Sequence, residues 1–268
     1  MSILCVNVLA QNQYSGKVLS ENDKPVAYVN IGVIGKNVGT VSNPNGNFKI
    51  HLPDSLESDS LRFSMIGFHS QTFSIKEFKE KYATKKAIIW LKNKTFYLTE
   101  VEILSRSLME KILGNRTESE NMTGGFATNS LGSEVATRIK IKRKPTYVEE
   151  FNFNITQNKY DSVFFRVNIY EVSENGTPGK NLLSENIYHT VTSESQKVSI
   201  DLTHYNLTMN EDFFISLEWL RDLGVEDETG LYFSCSLFGN SLFHRKTSQG
   251  TWENEAPLSV GFNVKVRH

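Results

Sequence analysis

Six histidines, His51, His69, His189, His204, His244 and His268, are the first residues to weigh for chemistry, because an imidazole can ligate a metal or move a proton near neutral pH. No two stand four apart and none lies in a His-Glu-x-x-His run, so no helix face carries a paired ligand set. His189 alternates with Ile187 and Val191 and reads as a core or edge residue. The two cysteines, Cys5 and Cys235, are too few for a disulfide framework or a cysteine zinc site, and Cys235 sits in an apolar alternation as a small hydrophobe. There is no Gly-x-Ser-x-Gly elbow, no phosphate-cradling glycine loop and no dinucleotide fingerprint. Spacing alone therefore assigns no catalytic residue, no metal ligand and no cofactor.

Binding chemistry has three candidate carriers. The run "RIKIKRK", residues 138–144, reads as the solvated face of a strand whose lysines guard an edge, against the alternative of a contact for an anionic surface. Asp222, Glu226, Asp227 and Glu228 fit no EF-hand spacing and read as a solvated loop. Among the aromatics, Trp219 continues the apolar face of Phe213, Ile215 and Leu217 and belongs to a core. Tyr232 falls on the opposite face from Phe233, and Trp252 follows a turn. These two are the expected binding residues, suited to stacking on the apolar faces of sugars.

The elements that must position such groups are strands. Apolar residues recur with period two through both halves, as in Val29-Ile31-Val33 and Phe165-Val167-Ile169. In "GTVSNPNGNFKI" the spacing predicts a hairpin of residues 39–42 and 47–50, closed by a turn in which Pro44 has its φ preset and Gly46 takes positive φ. One helix is expected over 76–86, with strands at 88–91 and 101–104. Residues 106–133 read as a linker with a short helix, from the capping-box spacing of Ser107 and Glu110 and a terminating Gly114. Eight or so alternating segments follow from residue 134, which suggests a two-sheet, jelly-roll-like sandwich.

At 268 residues the chain has room for two domains, and 39% hydrophobic residues can fill their cores. The net charge of -1 argues against nucleic acid as a partner, and no apolar run reaches the ~20 residues of a membrane helix. Residues 1–10 read as the remnant of a signal peptide, which implies export, against the alternative of a first β-strand.

Residues 13–105 resemble the carboxypeptidase-like regulatory domain, a transthyretin-like, Ig-like sandwich of the Bacteroidota cell envelope. The resemblance rests on Gly16, Val18, Pro25, Val29, Ile31, Gly39, Thr40, Gly46, Phe48, then Ile66-Gly67-Phe68 and the closing "LTEVEILS". Asn43 and Asn45 stand where that family usually has Asp in the turn, which leaves little charge for a cation. Residues 134–268 resemble a β region that follows this domain in short envelope proteins. The resemblance implies an all-β protein of two sandwiches in the periplasm or at the outer membrane and cell surface. Its expected task is non-enzymatic binding or scaffolding of an envelope protein partner. The alternative is glycan capture. A hydrolase would need a pocket holding two carboxylates or a histidine–acid pair.

Overall fold

The computed structural model describes residues 12–95, 108–221, 230–239 and 241–268. The chain forms two compact units, residues 1–94 with 247–251, and residues 95–246 with 252–268. Both are built mainly from antiparallel strands, as the alternation requires.

The first unit holds β1 (Gln13–Ser20), β2 (Asn30–Val33), β3 (Gly39–Val41), β4 (Asn47–His51), β5 (Ser60–Ser64), β6 (Gln71–Ser74), α1 (Ile75–Tyr82) and β7 (Ala87–Leu91). One sheet has the order β4-β1-β7 and the other β3-β2-β5-β6. β1 runs antiparallel to β4 and parallel to β7. Val18, Phe48, Ile50 and Ile89 of the first sheet share one buried core with Ile31, Val33, Leu61 and Phe63 of the second. The helix, expected over 76–86, covers 75–82 and adds Ile75, Phe78 and Tyr82 to this core. Phe78 lies 5.9 Å from Tyr14 and 4.9 Å from Tyr82, ring to ring. The strand expected at 101–104 lies outside the described residues.

The turn at 43–46 forms as its residues dictate, but the hairpin does not. Asn43 Oδ1 accepts the N–H groups of Asn45 and Asn47 at 3.0 Å, and Gly46 has φ +75°. β3 pairs with β2, however, whereas β4 pairs with β1 in the other sheet. The cause is Gly46, whose carbonyl accepts the Val18 N–H at 2.8 Å. A Cβ there would sit 2.5 Å from the Val18 carbonyl, so only glycine lets the chain reach β1. The turn thus carries the chain between sheets.

The second unit begins with β8 (Glu110–Gly114), β9 (Thr123–Phe126), β10 (Glu134–Ile139), β11 (Thr146–Asn158) and β12 (Ser162–Val172). Next come β13 (Pro178–Asn181), β14 (Ile187–Thr192), β15 (Lys197–Asp201), β16 (Leu207–Met209) and β17 (Phe213–Trp219). The last are β18 (Leu231–Leu237), β19 (Leu242–Arg245), β20 (Glu253–Asn254), β21 (Leu258–Val260) and β22 (Phe262–Arg267). A seven-stranded sheet has the order β13-β12-β17-β10-β19-β20, with β14 also on β12. An eight-stranded sheet has the order β21-β18-β11-β22-β8, with β15 and β16 on β11 and β9 on β18. Register shifts beside Glu149 and Thr156 let the long β11 bend and change partners along its length. The sheets face each other through aromatic rings. Phe126 lies 5.5 Å from Phe165 and 5.4 Å from Trp219 on one side, and 6.0 Å from Phe233 on the other.

Two expectations are corrected here. Residues 110–114 are a strand and not a helix, because pairing of Leu113 with Val264 outweighs the helix-start spacing, and Gly114 at φ +105° ends a strand. With β9 also paired, much of the expected linker is sandwich. β10 is no edge strand either. It lies between β17 and β19 and ends at Ile139, before most of the basic run.

Candidate functional site

The outer face of the seven-stranded sheet is closed. Strand periodicity that sends Phe165, Val167 and Ile169 inward sends Arg166, Asn168 and Tyr170 outward. On β17 the same rule sends Ser216 and Glu218 outward, and on β10 it sends Glu134. All six are buried. Arg166 donates to Glu218 Oε2 from Nε at 2.9 Å and from Nη2 at 2.8 Å. Arg245 Nη2 stands 2.5 Å from Glu134 Oε2. Asn168 Nδ2 bridges the carboxylates at 2.9 Å from each, while Tyr170 (2.9 Å) and Ser216 donate hydroxyls to Glu134. Two negative and two positive groups therefore neutralise one another inside the buried cluster.

Burial disfavours charge on Arg166 and Arg245, but Glu218 beside the first and Glu134 beside the second raise both pKa values above the usual guanidinium range. Burial, with the Glu134 charge, pushes the Tyr170 phenol well above 10.0. Two buried atoms here, Glu218 Oε1 and Arg245 Nε, have no hydrogen-bond partner among the described residues. This is a carboxylate pair of the kind a hydrolase needs, yet both members are fully buried and ion-paired, which is the arrangement of a structural cluster.

The outer face of the eight-stranded sheet is open. A groove of ≈ 360 Å³ runs across β15, β11, β22 and β8. Register aligns Ser199, Asn152 and Asn263 across three strands, and Glu150 with Lys265 and Ile112 one row away. Asn154 donates to Ser234 Oγ at 2.7 Å. The Asn152 side chain makes no hydrogen bond among the described residues and the residue is only half-buried, so its carboxamide faces the groove unsaturated. One wall is the segment of Arg116, Thr117 and Glu118. Asn115 fixes it by donating to Ser236 Oγ and the Ser259 carbonyl, both at 2.9 Å. Gly261 makes the approach possible, since a Cβ there would lie 2.9 Å from the Thr117 carbonyl. Lys197–Glu118 at 2.6 Å and Lys265–Glu110 at 3.4 Å balance the rim charge. Hydrogen bonding and attraction from Glu110 hold Lys265 above the usual lysine pKa.

The expected binding aromatics do not come together. Trp219 is fully buried, as its alternation required. Trp252 is half-buried, with the Arg245 guanidinium 4.9 Å from its ring and Tyr170 at 6.0 Å, so it packs on the closed face. Tyr232 lies on β18, in the other sheet. His189 is half-buried, and burial lowers its pKa. The acidic cluster of Asp222, Glu226, Asp227 and Glu228 lies outside the described residues.

One cluster escaped the sequence reading. His244 pairs across the β19–β20 ladder with Glu253, and Glu255 follows on the same face. His244 Nε2 is 2.7 Å from Glu255 Oε1 and 4.0 Å from Glu253 Oε2. The available signal was Glu-x-Glu standing opposite a histidine across the turn at 248–250, which a search for helical spacing cannot see.

Residues 14–103 match the family model of the CarboxypepD_reg-like domain, and this stretch is such a domain. No curated protein matches the chain. Among solved structures, the chain is similar to the major pilin subunit of Bacillus cereus. The identity is 14% and the TM-score 0.20, over 93% of this chain and 68% of that one.

Proposed function

We propose that the chain is a non-enzymatic binding protein of the cell envelope, exported to the periplasm or the outer membrane. Its second unit would hold a protein partner in the groove of the eight-stranded sheet, a recognition that uses no cofactor. The observation that carries this reading is the unsaturated Asn152 carboxamide on a rigid strand, aligned with Asn263 and Ser199 in a groove of ≈ 360 Å³. Carboxamides donate and accept at once, which suits the N–H and C=O groups of an extended polypeptide. Strands hold such groups in place better than loops do. The envelope setting is supported by the CarboxypepD_reg-like domain at 14–103.

The same amide floor favours one second reading, capture of a glycan, because a carboxamide can also bridge neighbouring hydroxyls. That reading has lost part of its aromatic support, since Trp252 packs against Arg245.

The test is affinity isolation from gently cross-linked envelopes of the host, with tagged wild-type protein beside Ser199→Trp, whose indole would fill the groove. Recovery of one protein by wild type and its loss from the variant is expected. Equal recovery by both would remove the groove from the account. Retention of polysaccharide without protein would move the assignment to the glycan.

A further inference from the structure

We infer that His244, Glu253 and Glu255 form a binding site for a first-row divalent cation, best suited to Zn²⁺. The donor set is one imidazole nitrogen and two carboxylate oxygens, a combination that favours zinc over the oxygen-seeking calcium and magnesium. The three ligand atoms lie within 4.8 Å of one another. Zinc bonds of about 2.0–2.2 Å in tetrahedral geometry place donors roughly 3.3–3.5 Å apart. The observed separations of 2.7 and 4.0 Å from His244 Nε2 bracket that value; the shorter is a hydrogen bond whose proton the metal would replace, and small rotations of the two glutamate side chains complete the site.

The scaffold is fixed from behind. His244 and Glu253 are a registered cross-strand pair, and the Glu255 N–H donates to the Leu242 carbonyl at 2.9 Å. On the opposite face of the same two segments, Arg245 is ion-paired to buried Glu134 and lies over the Trp252 ring. Both segments are thus anchored by side chains that do not take part in ligation, the condition for a preorganised site. Lys246 Nζ stands 3.8 Å from Glu253 Oε1, the outer oxygen, and leaves Oε2 turned toward His244. Three protein donors leave a coordination position for water or for a donor from a partner. The assignment is independent of the groove.

The test is calorimetric titration of ZnCl₂ into the untagged, chelator-stripped full chain, with Co²⁺ absorption as a second readout of tetrahedral ligation. One Zn²⁺ per chain is expected, weakened at least tenfold in both His244→Ala and Glu255→Gln. Absence of binding overturns the site. So does binding of equal strength in both variants, which would place the ion elsewhere. Both residues are partly exposed, so the variants should fold. Should His244→Ala fail to do so by circular dichroism, Glu255→Gln alone decides.

Discussion

Asn168 and Asn152 occupy equivalent places, each on the outer face of a long central strand of the second unit, and they meet opposite surroundings. Asn168 is buried and bonded on every side, to Glu134, Glu218 and the Asn181 amide at 2.9 Å. Asn152 is half-buried, and its side chain is bonded to nothing among the described residues. The difference lies in what stands around each. Arg166, Arg245, Tyr170 and Trp252 close over one face, while the other keeps a groove. Polar residues on a sheet can thus serve internal specificity or outward recognition, and their neighbours decide which.

If the closed face is an interdependent ion cluster, its weakest point is the carboxylate with most partners. Glu134→Ala leaves Arg245 charged and unpaired in a buried site, and should cost about 3–5 kcal/mol of stability by chemical denaturation. A loss under about 1 kcal/mol would mean that water reaches this face.

Alkaline pH probes the buried groups without mutation. Burial raises the Cys235 thiol from 9.0 to about 12. Above pH 9 the unfolded chain loses this proton while the folded chain keeps it. The unfolded state then binds fewer protons, and stability falls as pH rises through the window from 9 to about 12. Tyr170 acts in the same direction from about pH 10 upward. Denaturation curves of Cys235→Ala should show a shallower decline than wild type over that window, and Tyr170→Phe a shallower one above pH 10.

A double-mutant cycle on Arg166→Met and Glu218→Leu should return a coupling of about 1–3 kcal/mol, with the double variant more stable than the sum of its singles predicts. The smallest effect belongs to the open face. Asn152→Ala should change stability by no more than about 0.5 kcal/mol, because no bond inside the protein is lost. If it destabilises as strongly as Glu134→Ala, the contrast between the two faces fails.

Much of the architecture was legible in the residues. The period-two runs located Phe151-Phe153-Ile155 and Val260-Phe262-Val264-Val266 on the correct inner faces, because a half-buried strand must alternate. The turn at 43–46 was legible because proline and glycine restrict φ locally. Pairing was not, since Gly46 meets Val18 only in three dimensions. Glu110–Gly114 misled because five residues carry both helix-start spacing and strand content, and partner β22 lies about 150 residues away in sequence. The candidate sites were the least visible. Glu134 reads as a solvated strand residue until Arg245 stands beside it, and Glu-x-Glu gains meaning only opposite His244.

The strand pairings also set a timetable for synthesis. In the first unit β1 lies parallel to β7, so a segment made at residues 13–20 waits for residues 87–91 before its sheet is complete. In the second unit β8 pairs with β22, and residues 110–114 wait for 262–267. A ribosome therefore releases the last strand of the three-stranded sheet long before it releases β22, and β8 stays without its partner strand while most of the second unit is made. That interval, rather than the finished fold, is where a chaperone would have most to protect.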